Sequence, residues 1–398
     1  MSEPIYMDHH ATTPVDDRVL EAMLPFFTKH YGNAASRAHG FGHRAADAVE
    51  RARRQVAELV GAPPRTLVFT SGATESDNLA LKGVMHAYRD EGDHLIVPVT
   101  EHKAVLDSAT RLETEGFRVT RLPVDEAGRV DPAAVAEAIE ERTVLVSVML
   151  CNNEVGTVQD IGAIGALTRE RGVLLHCDAS QGLGYLGFDV DAMQVDLASF
   201  NAHKLYGPKG VGALYVRRSS PRVRVVAEAD GGGQEHGLRA GTPNVPGIVG
   251  FGTAAALQSS EGAAEASRLS ALRGRLAERV LELEATELNG PPLEGPRHPG
   301  NLNVSFAGID GEGLLLALAK VVAVSSGAAC TSASTEPSYV LRAMGLDADR
   351  AATSIRFGLG RPTDEAQVDA VADHVIATVE RLRSQSPLWR QRGQAIDW

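Results

Sequence analysis

The sequence predicts an α/β fold, with a mainly parallel sheet covered by helices on both faces and a smaller α+β lobe after it. From residue 43 to about 217, short apolar runs alternate with segments of helical spacing. Short apolar strands set between helices are the mark of parallel strands buried on both sides. After Gly231-Gly232-Gly233 that alternation stops, and longer helical stretches with separated strand runs take over.

Residues 44–59 carry alanines and charges at helical spacing, and Leu67-Val68-Phe69 reads as a short buried strand. A helix over 74–88 precedes a strand over 94–98, and a helix over 103–115 precedes one over 117–122. The same pairing repeats at 132–140 with 144–150, and at 161–171 with 173–177. Further strands fit 197–200 and 212–216. Beyond the glycines, residues 245–258 and 263–285 are expected as two helices, 301–306 and 321–325 as strands, and 367–383 as the closing helix. The proline-rich stretch 291–299 reads as a surface loop. A large domain over 15–260 and a small domain over 1–14 with 261–398 are expected.

The chain has 398 residues, 43% of them hydrophobic, which is ample for more than one lobe. Its 39 basic and 51 acidic side chains give a net charge of -12. That balance argues against a phosphate-backbone binder, so no direct nucleic-acid binding is expected. No apolar stretch approaches the roughly 20 residues of a membrane helix, and residues 1–6 lack the basic start of a signal peptide. A cytoplasmic protein without membrane contact is the expectation. Cysteines 151, 177 and 330 are too few and too scattered for a disulfide framework.

The chemistry begins with Lys204, which lies after a strand run and before Gly207-Pro208. Asp178 ends another strand about 25 residues earlier. A lysine and an acid at neighbouring strand ends fit a pyridoxal-phosphate site, since such groups gather beyond the carboxyl ends of parallel strands. The lysine holds the cofactor, and the aspartate keeps its ring nitrogen protonated so that the ring accepts electrons. Thr70 to Ser76 lies between a strand and a helix, where glycine closes the turn and free N–H groups face an anion. Taken alone, that segment is equally an ordinary helix start with Glu75 in its first turn.

The sequence resembles the cysteine desulfurases of the housekeeping and nitrogen-fixation type, within the class V aminotransferase group of fold-type I pyridoxal-phosphate enzymes. The likeness runs nearly end to end. It rests on Tyr6-Met-Asp8, Ala11-Thr-Thr-Pro14, Ser71-Gly-Ala-Thr-Glu-Ser76, Thr100-Glu-His102-Lys-Ala-Val105 and Asn152-Asn153-Glu154. It continues through Gly231-Gly-Gly-Gln-Glu235, Gly241-Thr242, Ser325-Ser-Gly327 with Cys330-Thr-Ser-Ala-Ser334, and Ser354-Ile-Arg356-Phe357.

The resemblance implies a seven-stranded sheet and pyridoxal 5'-phosphate held on Lys204. It also implies conversion of L-cysteine to L-alanine, with the sulfur left on Cys330 as a persulfide. His102 would stack on the cofactor ring and move protons with Lys204. Asp178 would pair with the ring nitrogen and Gln181 with the phenolic oxygen. The Ala73 backbone, Thr74 and His203 would hold the phosphate, with Asn201 where relatives usually have serine, and Thr242 reaching in from a second subunit. Asn153 and Arg356 would grip the substrate carboxylate, a task suited to a planar guanidinium. The implied partners are L-cysteine, a second copy of the chain, an iron–sulfur scaffold and other sulfur acceptors, such as those of tRNA thiolation. A selenocysteine lyase or another class V reaction is the alternative. Cys151 and Cys177, in apolar strand runs, read as packing residues. The resemblance implies no metal in the enzyme itself, although Cys330 could meet a cluster on a scaffold. His9 and His10 replace less basic residues, yet neighbouring side chains diverge and no third ligand is evident. Ala34, His236 and Ala240 also depart from the family pattern. The segment Ser386-Pro-Leu-Trp389 through Trp398 resembles a scaffold-docking tail.

Overall fold

The structure is a computed structural model that describes residues 3–326 and 337–390, the side chain of Leu388 excepted. A short strand, β1 (Ile5–Tyr6), leads through helices α1 (Asp17–Met23), α2 (Pro25–Thr28) and α3 (Gly40–Leu59) into the central sheet. Its strands are β2 (Leu67–Thr70), β3 (His94–Pro98), β4 (Arg118–Leu122), β5 (Thr143–Ser147), β6 (Leu174–Asp178), β7 (Leu197–Asn201) and β8 (Gly212–Val216). Helices α4 (Ala73–Ala87), α5 (Lys103–Thr114), α6 (Pro132–Ala138) and α7 (Ile161–Arg171) lie between them in the chain. The spatial order is β2-β8-β7-β6-β5-β3-β4. β8 runs against both neighbours, and the other pairs are parallel. The expected mainly parallel sheet of seven strands is present.

Every residue of β3, β5, β6, β7 and β8 is buried, which a strand achieves only when both sheet faces are covered. Successive side chains divide between the faces. Phe69, Ile96, Val146, Leu175 and Phe200 join the core under α3 and α7. Val68, Leu95, Leu145, Leu174 and Leu197 join the core under α4 and α5. Each fully buried Leu or Phe contributes on the order of 2 kcal/mol of hydrophobic stabilisation.

The two helices expected after residue 245 are one, α8 (Val245–Leu281), 37 residues long. The apparent break at Ser259-Ser260-Glu261-Gly262 is a packing feature. A Cβ on Gly262 would lie 2.4 Å from the Gly184 carbonyl oxygen, so glycine there admits a neighbouring backbone. Ser260 returns its hydroxyl to the Ala256 and Leu257 carbonyls and stays within the helix. The early part of α8 packs on the large core, and Leu269, Leu272, Leu276 and Val280 belong to a second one.

That second core lies under an antiparallel sheet. Its elements are β9 (Thr286–Leu288), β10 (Asn301–Phe306), α9 (Gly311–Leu318), β11 (Val322–Ala323), β12 (Ser325–Ser326), α10 (Tyr339–Ala343), α11 (Ala348–Ala352), β13 (Ser354–Gly358), α12 (Glu365–Gln385) and α13 (Pro387–Arg390). The order is β12-β13-β10-β9, while β11 pairs in parallel with β1. The single strand expected over 321–325 is therefore two, because the chain changes partner at Val324. The stretch 291–299 is not wholly a surface loop. Its end is buried, since Arg297 donates to the carbonyl oxygens of Asn289 at 2.6 Å and Val155 at 2.9 Å, and to Asn301 Oδ1 at 3.2 Å.

Candidate active site

The carboxyl ends of β6 and β7 open into a cavity of about 610 Å³. Ala73, Thr74, His102, Asn153, Asp178, Gln181, Asn201, His203, Lys204 and Arg356 all line it. Thr242 is exposed and does not line the cavity of its own chain. Cys330 lies outside the described residues.

Asp178 is the last residue of β6, buried, and accepts the Ser180 N–H at 2.9 Å. Lys204 follows β7 in a turn closed by the Leu205 and Gly207 N–H groups on the Ala202 carbonyl. The turn is fixed from its other side by Asn201, whose Oδ1 accepts the Lys204 N–H at 3.2 Å. The N–H groups of the Asn201 amide remain as donors for the cavity it lines. The Lys204 ammonium donates to the Ala11 carbonyl at 2.9 Å and also to that of His10.

A phosphate would meet the start of α4. Gly72 precedes that helix without a side-chain cap, so the first-turn N–H groups are left to an anion. A Cβ on Gly212 would lie 2.7 Å from the Gly72 Cα, so the approach of the two turns requires glycine. Glu75 is drawn aside by Arg239 at 2.9 Å and by the Ser71 N–H at 2.7 Å. His203 bonds Thr12 Oγ1 at 3.0 Å, and burial, then Lys204 and Lys209, depress its pKa to about 4. Lys204 and Lys209 both line the cavity.

Beneath Asp178, His176 shares hydrogen bonds with Ser147 at 2.8 Å and Ser199 at 3.0 Å, and burial lowers its pKa to about 4. Burial, and then the Asp178 charge, push Asp77 well above the usual carboxylate range. Glu101 is raised in the same way, although its Oε1 accepts the Met149 N–H at 2.7 Å. The buried acids around Asp178 thus favour their neutral forms. His102 caps α5, with Nδ1 accepting the Ala104 N–H at 3.1 Å. Its neutral form therefore carries the proton on Nε2.

His10 was singled out in the sequence only as a poor metal ligand. In the structure its carbonyl accepts Gln181 Nε2 at 2.8 Å, while its ring Nδ1 lies 3.3 Å from Gln181 Oε1. His9 turns the other way, with Nδ1 3.0 Å from the Gly358 carbonyl. No three His, Cys, Asp or Glu side chains are grouped for a metal among the described residues. Cys151 and Cys177 are buried, and burial raises the thiol pKa of Cys151 to about 12 and that of Cys177 well above its ordinary value. Neither is a thiolate at neutral pH. Thr12, from the Ala11–Pro14 motif, also lines the cavity with Asp77 and Lys209, and sequence reasoning assigned none of the three a role there.

An amine and a carboxylate at neighbouring strand ends, with a helix start open to an anion, fit pyridoxal phosphate. Residues 5–371 match the family model "Aminotransferase class-V". The chain belongs to that family of pyridoxal-phosphate enzymes, and within it to the cysteine desulfurases. It is 59% identical over 398 residues to "Cysteine desulfurase IscS" of Anaeromyxobacter sp. (strain Fw109-5), covering 100% of this chain and 98% of that one. A solved "NifS-like protein" superposes with a TM-score of 0.88 at 38% identity, covering 95% of this chain and 100% of that chain. A structure described as "SspA in complex with cysteine" gives 0.79 at 36% identity, covering 89% of this chain and 98% of that one.

Proposed function

We propose that this chain takes sulfur from L-cysteine and leaves L-alanine, with Cys330 as the sulfur acceptor. The observation that carries the reading is the meeting of Lys204, Asp178, His102 and Arg356 around one cavity. Bound pyridoxal phosphate supplies an electron sink for carbanion chemistry next to the substrate nitrogen. Lys204 tethers it and moves protons at the substrate α and β carbons, aided by His102. Asp178 holds a proton at the ring nitrogen, and Gln181 orients toward the phenolic oxygen. Ala73, Thr74, Asn201 and His203 bind the phosphate. Arg356 and Asn153 orient the substrate by its carboxylate.

The Cys330 thiolate attacks the substrate sulfur. The carbon–sulfur bond breaks, its electron pair stays with the carbon, and protonation there completes L-alanine. Cysteine plus enzyme thiol gives alanine plus enzyme persulfide, with no outside reductant. Residues 15–260 form the cofactor-binding domain, and residues 1–14 with 261–398 form the domain that carries Cys330.

The functional unit is a homodimer in which Thr242 completes the partner's phosphate site. Exposed Leu24, Phe27, Tyr31 and Phe41 on and near α1–α3 offer the apolar surface such a contact uses. The persulfide passes to an iron–sulfur scaffold and other acceptors in the cytoplasm. No helix among the described residues is long and apolar enough to cross a membrane.

Incubation with L-cysteine followed by mass spectrometry should find one added sulfur on the peptide containing Cys330. Cys330→Ala should retain the cofactor's absorbance and lose alanine formation. Full turnover in that variant would exclude the persulfide route.

A further inference from the structure

Arg356 is already engaged. Its Nη2 donates to Asp8 Oδ1 at 2.7 Å and to Ser325 Oγ at 2.9 Å, so both Nη2 hydrogens are committed. Nη1 donates to the Asn153 carbonyl at 3.0 Å. Nε is buried without a hydrogen-bond partner among the described residues. A carboxylate held in the two-point fork needs two parallel N–H groups from one edge of the guanidinium. The edges that offer such a pair, Nη1 with Nη2 and Nε with Nη2, both include Nη2. A second carboxylate can be gripped in this way only if Nη2 lets go of an acceptor.

We propose that Asp8 is a positioning residue that stands in for the substrate carboxylate on Arg356 and is exchanged for it when an amino acid binds. This rests on the reading of Arg356 as the carboxylate ligand. Of the two Nη2 acceptors, Asp8 matches the incoming group in charge and shape.

The exchange needs only a side-chain rotation. The Asp8 backbone is pinned by the Ala11 N–H on its carbonyl at 2.9 Å and by the Tyr6 hydroxyl on the same oxygen at 3.1 Å. The next residue is fixed to β13, where the His9 N–H meets the Gly358 carbonyl at 3.1 Å. On release, the Asp8 carboxylate keeps a donor, since Ser325 Oγ donates to Oδ1 at 2.9 Å.

The arrangement keeps one carboxylate on a guanidinium that is 4% exposed, before and after binding. A buried cation left without its counter-charge is strongly destabilising. Asp8 therefore holds Arg356 in place for the substrate, and competes with it. Ligands without a carboxylate gain nothing from the exchange.

The test uses the holoenzyme titrated with L-alanine and followed by cofactor absorbance, with L-alaninamide as the control that lacks the carboxylate. Asp8→Asn should bind L-alanine about fivefold more tightly, as a neutral acceptor replaces a charged competitor, and should bind L-alaninamide as before. Ser325→Ala, which frees one Nη2 hydrogen, should tighten L-alanine binding about twofold and tests the same exchange if Asp8→Asn does not fold. Arg356→Gln should weaken L-alanine alone. If Arg356→Gln weakens L-alanine while the Asp8 or Ser325 variant binds it unchanged or more weakly, the exchange is overturned and Arg356 keeps its role. If Arg356→Gln leaves L-alanine binding unchanged, Arg356 is not the carboxylate ligand and both readings fall.

Discussion

The two walls of the cavity are built on different principles. One consists of Asp178 and Lys204 with the start of α4, all placed by the ends of sheet strands. Its supports are backbone ladders and short-range turns, such as the Asn201 Oδ1 bond to the Lys204 N–H at 3.2 Å. The other consists of residues 10–12, Asn153 and Arg356, brought together from far apart in the chain. Side-chain hydrogen bonds hold it, among them Arg356 to Asp8 at 2.7 Å, 348 residues apart. The first wall is rigid because the sheet is rigid, so it suits a fixed cofactor. The second has exchangeable polar partners, so it suits a ligand that comes and goes.

The sharpest way to break the first wall is to remove its amine. Lys204→Ala should lower alanine formation by roughly 10²- to 10⁴-fold, the usual cost of losing a positioned proton carrier. The same variant should release cofactor on gel filtration. Retained turnover would show that the wall does not depend on its strand-end lysine.

For the second wall the corresponding change is Arg297→Met. Arg297 donates to Val155 at 2.9 Å and to Asn289 at 2.6 Å, and so supports the turn after Asn153. Burial lowers its pKa to about 9, so it is still charged at neutral pH. Removing it leaves buried carbonyl oxygens unpaired, at a cost of about 3 kcal/mol. Denaturant titration measures that loss. If stability is unchanged, the wall does not lean on this arginine.

The same contrast explains what the sequence could show. The strands β3, β5, β6 and β7 announce themselves by apolar runs, and Asp178 and Lys204 sit where those runs end. β5, β6 and β7 are neighbours in the sheet as they are in the chain, so the pairing of Asp178 with Lys204 was legible. Asp8, His10 and Arg297 each make a hydrogen bond to a partner between 142 and 348 residues away. No local pattern encodes such partners. The continuity of α8 was hidden for a related reason. Gly262 is a helix breaker by intrinsic preference, and only the approach of Gly184 explains why it is tolerated. Resemblance supplied Arg356 and Gln181 as site residues without supplying what holds them.

Both walls store neutral histidines, which sets a pH dependence. Burial depresses His176 in the first wall to about 4 and His298, next to His10, to about 3. A group whose folded pKa lies below its unfolded value stabilises fully above the unfolded value of about 6.5 and loses that contribution as pH falls. By pH 5, His176 alone should contribute about 2 kcal/mol less than at neutral pH. The raised carboxyl of Asp77 acts in the opposite sense, favouring the fold at low pH. His176→Asn should therefore change the slope of stability from pH 7.5 to 5, removing a contribution that falls by about 2 kcal/mol across that range. A slope unchanged in that variant would remove His176 as its source.

The smallest effect expected lies where the walls meet, at His10 and Gln181. A carbonyl can only accept, so the contact of Gln181 with the His10 carbonyl at 2.8 Å fixes which end of the amide is nitrogen. Oε1 then faces the His10 ring, and Nδ1 must carry the proton to donate across 3.3 Å. Burial, reinforced by His298, lowers His10 well below its ordinary value, so the ring is neutral and this tautomer is held. Removing the ring leaves Gln181 one anchor instead of two. His10→Ala should weaken pyridoxal-phosphate binding about fivefold, the worth of one hydrogen bond of about 1 kcal/mol. Gln181→Ala should weaken it further, and adding His10→Ala to that variant should change little more, because the ring then has no amide to hold. Additive losses in the double variant would mean that His10 acts independently of Gln181.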